Sequence, residues 1–134
     1  MSTFNFEVVT QERTVVLTEV EYVQLPGVDG SFGILSNHLP LMAALDVGVV
    51  EFGPREGKRR TIALGGGFAD MHDNKLTVMA STAELAEEID VLRAREAQKR
   101  AEARLNDRAA DLDLARAQIA LQKALVRIEV ANDQ

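Results

Sequence analysis

Every glycine, every proline and every Phe and Tyr in this 134-residue chain lies at or before Phe68. Beyond that point run Ala, Leu, Glu, Arg and residues like them, with neither helix breaker nor large ring. Gly and Pro let a backbone turn sharply, and Ala, Leu, Glu and Arg are good helix formers. The chain therefore has to fold as two structures in series, a turn-rich head and a helical tail. They meet near the hexapeptide Ile89-Asp90-Val91-Leu92-Arg93-Ala94. We set the division at residues 1–84 for the head and 85–134 for the tail.

An apolar fraction of 46% is that of an ordinary globular protein, and no apolar run is long enough for a membrane span. The N-terminus lacks the basic flank and apolar stretch of a signal peptide. With no cysteine there is neither a disulfide framework nor a thiolate metal site. A net charge of −6 argues against nonspecific nucleic-acid binding and against anchoring on anionic lipid. The charge is uneven: residues 1–84 hold eleven acids and six bases, whereas residues 85–134 hold ten acids and nine bases. Any anionic ligand belongs on the tail.

Through the head, Val and Thr recur between closely spaced turn signals, the pattern of an all-β sandwich or barrel. The spacing predicts a strand over Thr14–Gln24 stopped by Pro26-Gly27, and a very short segment between Asp29-Gly30 and Gly33. Further strands are expected at Val47–Phe52, Thr61–Leu64 and Leu76–Ala80, with a hairpin tip at Gly53–Gly57 and a turn at Asp73–Lys75. The short connections predict antiparallel pairing. Gly65-Gly66-Gly67 lacks the Gly-Lys-Ser/Thr of a phosphate loop and reads as a bulge or a close approach of two backbones. His38 and His72 have no nucleophile or second ligand at suggestive spacing, so both read as loop or surface residues, and no catalytic constellation emerges.

In the tail, Asp90 is placed to cap a helix over Val91–Leu105. Asn106-Asp107-Arg108 interrupts it, and Asp111 or Asp113 can cap a second helix running to about Val130. Leu114, Ala117, Leu121, Ala124, Leu125 and Ile128 make one apolar stripe on that helix, opposite a thinner one of Ala94, Ala97, Ala101 and Leu105 on the first. The fold class is thus α+β: an N-terminal antiparallel β-sandwich followed by a C-terminal two-helix antiparallel hairpin. Alanines bury little area, so the hairpin is expected to be labile; straightened, residues 90–132 would form a rod of about 65 Å.

Arg93 and Arg100 share a face of the first helix, Lys123 and Arg127 a face of the second. An antiparallel hairpin could gather these four cations, with Glu84 and Asp90 at the rim, into a polyphosphate site. Equally, they could be solvated or paired with Glu96, Glu102, Glu129 and other acids. Spacing alone favours that plainer account.

The order of motifs resembles the epsilon subunit of bacterial F-type ATP synthases over nearly the whole chain. The resemblance rests on Gly30-Ser31-Phe32-Gly33-Ile34-Leu35, His38-Leu39-Pro40-Leu41, Gly66-Gly67-Phe68, the strand Leu76–Ala80 and the tail hexapeptide. It implies a non-catalytic rotor subunit between the gamma subunit and the c ring, peripheral to the cytoplasmic face of the cell membrane. Asp29, Ser31 and His38 would face the c ring, with Ser31 standing where relatives often carry Glu. The tail would extend along gamma into the alpha/beta hexamer and block ATP hydrolysis.

Ile89 to Ala94 also matches the Ile/Leu-Asp-x-x-Arg-Ala signature of the ATP-binding, thermophilic and bacillus-type branch. By that resemblance Glu84, Ile89, Asp90 and Ala94 would line adenosine. Arg93, Arg100 and Arg127 would contact ATP, chiefly its phosphates, with or without magnesium. Lys123 stands where Arg is usual; it keeps the charge and loses the fork. The alternatives are the same rotor role without a nucleotide, and an adaptor unrelated to ATP synthase.

Overall fold

In the first strand, Phe4, Phe6 and Val8 are fully buried while Asn5 between them is exposed, the period-two alternation of a strand with one face on a core. The computed structural model describes residues 2–107 and 114–132. Eight strands come first: β1 Phe4–Val9, β2 Thr14–Val20, β3 Tyr22–Gly27, β4 Gly30–Leu35, β5 Leu41–Gly53, β6 Arg60–His72, β7 Lys75–Ala80 and β8 Ala83–Leu85. A 3-10 turn over Ala86–Glu88 leads into α1 (Val91–Asn106), and α2 spans Leu114–Asn132. Together they form the expected β-sandwich followed by two helices. α1 ends at Asn106 with Asp107 as its C-cap, where the interruption was expected, while Arg108 and the caps at Asp111 or Asp113 lie outside the described residues.

The strands pair in the order β2-β1-β7-β6-β5-β3-β4, with β8 alongside β6. β7 and β8 face β6 in one register, Gly67 opposite Ala80 and Leu64 opposite Ala83. The sandwich closes so that the Phe6 ring of β1 meets the Phe52 ring of β5, with centroids 5.3 Å apart. Around them Leu25, Ile34, Ile62, Leu64, Met71, Leu76 and Val78 complete a buried apolar core.

Four details correct the expectations drawn from pattern. The segment Thr14–Gln24 is two strands, because at Glu21 the chain leaves β1 for β5 and the Glu21 N–H donates to the Gly53 carbonyl at 3.0 Å. Pro26 and Gly27 lie inside β3, so the turn falls one step later, at Val28-Asp29. Gly33 lies inside β4 opposite Gln24, where its missing side chain leaves room for the Tyr22 ring. Finally, β1 and β7 pair in parallel, Asn5 with Lys75 through Val9 with Met79. Short local connections say nothing about strands that meet from distant parts of the chain.

The triple glycine behaves as a site of close approach. A Cβ on Gly67, whose φ is +153°, would strike the Met79 carbonyl oxygen, and one on Gly65 would strike the Thr82 hydroxyl. The β1–β2 pairing slips between Val8 and Val9. That bulge turns both Val15 and Val16 inward despite their adjacency.

The Asp90 carboxylate accepts from the Arg93 N–H at 3.1 Å and so caps α1. Asp90→Ala is expected to destabilise α1 by about 1 kcal/mol. Amide exchange in its first turn, compared with that in β6, checks this. The helices meet through alanines: Ala94 and Ala101 on α1, Ala117 and Ala124 on α2, all buried. Leu114 and Leu125, expected on the inner stripe, are 54% and 45% exposed. Alanine contacts draw the helix axes close, and a leucine does not fit between them. The hairpin rests on the head through a small cluster of Ala63, Ile89 and Val130, flanked by Val49, Ala86, Val126 and Ala131.

Candidate functional site

Where α2 lies over β6, beside the start of β8, the chain leaves a cavity of about 310 Å³. Its floor is sheet, with Gly65, Thr82 and Glu84, and its roof is helix, with Ala97, Ala120, Lys123 and Arg127. Small residues make the room, and the charged groups stand at one side. Arg127 Nε donates to Glu84 Oε1 at 2.7 Å, and its Nη2 to Oε2 at 3.4 Å, a forked guanidinium–carboxylate pair. Lys123 forms no ion pair among the described residues.

Of the eight residues proposed to hold a nucleotide, three converge here: Glu84, Lys123 and Arg127. The other five stand elsewhere. Ile89 is buried against Ala63 and Val130. Asp90 is exposed and spends its carboxylate on the helix cap. Ala94 is wholly buried on α1. Arg93 and Arg100 are exposed on α1 and take no part in lining the cavity. For Arg127 the plainer account of the cations agrees with the structure, since it is paired with an acid, Glu84.

Glu84 belongs to an acidic connector whose three carboxylates are each met by an arginine from a different element. Arg13, just before β2, reaches Glu88 at 2.8 Å, and Arg60 of β6 reaches Glu87 at 3.0 Å. Glu88 also accepts from the Leu85 N–H at 2.9 Å. The Arg13 hydrogen bond, aided by that amide, holds the Glu88 carboxyl below the usual glutamate range, and raises the Arg13 guanidinium in turn. Acidic runs with arginines scattered far along the chain gave no sequence signal for these pairs.

A second surface lies at the β3–β4 turn. Asp29 and Ser31 line a shallow pocket of about 560 Å³ with Val28, Phe32 and Met42. Val28, Leu39 and Met42 are 57%, 78% and 76% exposed, an unusual concentration of bare apolar side chains. His38 stands outside that pocket, exposed, with Nδ1 2.7 Å from the Leu39 carbonyl oxygen. His72 is also at the surface, beside Asp70. A third surface escaped the sequence pattern: Phe68 and Met79, cross-strand partners, stay 57% and 45% exposed beside a recess that runs to Val9 and Ser81. The only hint was an aromatic directly after the glycines.

Among the described residues, no group of His, Asp and Glu is placed to hold a metal ion, and no helix is long and apolar enough to cross a membrane.

A β-sandwich carrying a helical hairpin, with two exposed apolar surfaces, defines a class of two-part chain whose head is suited to contact with neighbours. Residues 3–86 match the beta-sandwich domain of the ATP synthase delta/epsilon chain, and residues 87–132 its long alpha-helix domain, so the chain belongs to that family of non-catalytic subunits. The ATP synthase epsilon chain of Syntrophomonas wolfei is 45% identical over 131 residues, covering 98% of this chain and 96% of that one. The epsilon chain of Symbiobacterium thermophilum is 46% identical over 133 residues, covering 98% and 95%. In fold, the chain is similar to one in the mitochondrial ATP synthase OSCP/F1/c-ring structure of Euglena gracilis. That likeness has a TM-score of 0.80 at 22% identity, covering 98% of this chain and 82% of that one.

Proposed function

We propose that this chain is an epsilon-type rotor subunit, carried in the central stalk of a proton-translocating ATP synthase and peripheral to its membrane. The observation that carries this reading is family membership across both domains, residues 3–86 and 87–132, with relatives named as epsilon chains over nearly their full length. The exposed apolar surfaces at Val28, Leu39 and Met42, and at Phe68 and Met79, suit a head gripped by neighbours. Under this reading those neighbours are the c ring, at the Asp29, Ser31 and His38 end, and the gamma subunit. The tail would regulate ATP hydrolysis by leaving the head and entering the alpha/beta hexamer.

ATP would bias that choice by binding the folded hairpin. The cavity volume lies at the lower end of the range for small-molecule sites, and Lys123 and Arg127 supply cations for phosphate oxygens. Ligand at a hundred times its dissociation constant adds about 2.7 kcal/mol to the state it binds, enough to govern a marginal hairpin. Calorimetric titration of the isolated chain with ATP is expected to show one site, weakened at least tenfold in the Arg93→Ala, Arg127→Ala double variant. Absent binding, or equal binding by both proteins, removes the nucleotide from the reading.

A second reading keeps the rotor role and dispenses with ATP. Its support is geometric: Arg127 is already paired with Glu84, while Arg93 and Arg100 lie outside the cavity. The same titration separates the two.

A further inference from the structure

The acidic connector joins sandwich to hairpin, and its three ion pairs differ in what they tie together. Arg13–Glu88 and Arg60–Glu87 bind connector to head, so neither needs to break when the tail moves. Glu84–Arg127 alone, among the described residues, binds head to tail. It is also the most sheltered of the three, with side chains 25% and 32% exposed against 59% and 58% for Arg60–Glu87. Shelter and a forked geometry are what raise an ion pair above the near-zero value of a surface contact.

The rest of the tail's grip on the head is slight. Among the described residues it consists of the Ala63, Ile89 and Val130 cluster, with Val49, Ala86, Val126 and Ala131 packed against it, and one hydrogen bond, from Gln122 Nε2 to the Val47 carbonyl at 3.3 Å. Ile89 and Asp90 follow the last pinned residue and precede the first helical one, and Ile89 has the extended backbone of a joint, φ −78° and ψ 126°.

We propose that Glu84–Arg127 is the releasable latch of the hairpin, and that the tail pivots at Ile89-Asp90 while Arg13 and Arg60 keep the connector on the head. The idea rests on the regulatory tail proposed above and adds how it is held and where it turns. Because Glu84 stays fixed whether the tail is up or down, the carboxylate always waits at the same place for Arg127. Docking is then a capture step onto a preset partner rather than an encounter between two mobile segments. Any anion that enters the cavity meets an arginine whose fork is already in use.

The chain has no cysteine, so a Thr18→Cys, Gln118→Cys pair carries two spin labels without background. Both positions are exposed, one on the head and one on α2. Without nucleotide, Glu84→Gln is expected to raise the ratio of long to short label distances roughly tenfold, the worth of a charge-assisted hydrogen bond. Arg127→Gln should do the same. Hydrogen exchange should then quicken in α1 and α2 while the Leu85 amide stays protected. The Arg13→Gln, Arg60→Gln double variant should instead expose that amide. An unchanged distance ratio in both latch variants overturns the proposal, as does connector exchange that rises together with the tail's. If the latch variants open the tail but ATP fails to re-dock it in either variant or wild type, the latch stands and the nucleotide reading falls.

Discussion

Replacing Phe6 by alanine is expected to cost the head about 3–5 kcal/mol of unfolding free energy, the cost of emptying an aromatic-sized space in a core that cannot collapse to fill it. Phe6 is wholly buried, and its ring leans on Phe52 from the opposite side of the sandwich. It also sits in the middle of β1, which pairs with β2 on one side and β7 on the other, so few neighbours can shift inward without breaking a ladder. A domain of this size has a total stability of only about 5–15 kcal/mol, and the loss takes a large part of it. Urea titration followed by far-ultraviolet circular dichroism measures the effect, since the chain lacks tryptophan and has one tyrosine. Leu17→Ala on the neighbouring strand is the control: Leu17 is 66% exposed, and its loss should stay within about 0.5 kcal/mol. Equal midpoints for the two variants would show that the Phe6–Phe52 contact does not hold the sandwich closed.

What could be read from sequence was whatever local chemistry decides. Asp73-Asn74 makes a turn because both residues tolerate positive φ, here 50° and 58°, and the strands on either side then pair without choice. Asp90 caps α1 because a carboxylate ahead of a helix-forming run has few better options. Distance along the chain is what hid the rest. The parallel β1–β7 pair joins segments about seventy residues apart, and neither strand carries a mark that names the other. At Glu21 an unbroken β pattern changes partner strands, because the bond that turns it comes from Gly53. The candidate site was partly legible for the same reason. Hairpin geometry brings Lys123 and Arg127 over the end of the head, but the choice of Glu84 over Glu129 as the arginine's partner depends on how α2 is rolled against β5 and β6. Nothing in the sequence says which small apolar residues meet which element: that roll is set by Val126 and Val130 seated on Ala63 and Ile89, while the buried alanines of α2 face α1.

Ala94→Leu should turn this into a measurable release of the tail. Ala94 has no exposed surface, sits in the first turns of α1, and shares its face with Ala101 one heptad on. A leucine there adds three carbons where the helices meet, and overpacking of this kind costs about 1–3 kcal/mol. Helix propensity does not mask the effect, because leucine is nearly as good a helix former as alanine. The hairpin has little to spend against such a loss, since its interface is made of side chains that each bury little area. The expected result is a tail that leaves the head while the sandwich keeps its midpoint: fast amide exchange in α1 and α2, slow exchange in β6. Leu92→Ala, two residues away and 73% exposed, should leave both unchanged. Measuring without nucleotide matters, because the family resemblance also places Ala94 beside adenosine, and a leucine could block a ligand for that separate reason. Release in the absence of any ligand assigns the effect to packing. Protected helices in Ala94→Leu would mean that the hairpin tolerates a wider spacing, and that the head rather than the alanine seam holds it together.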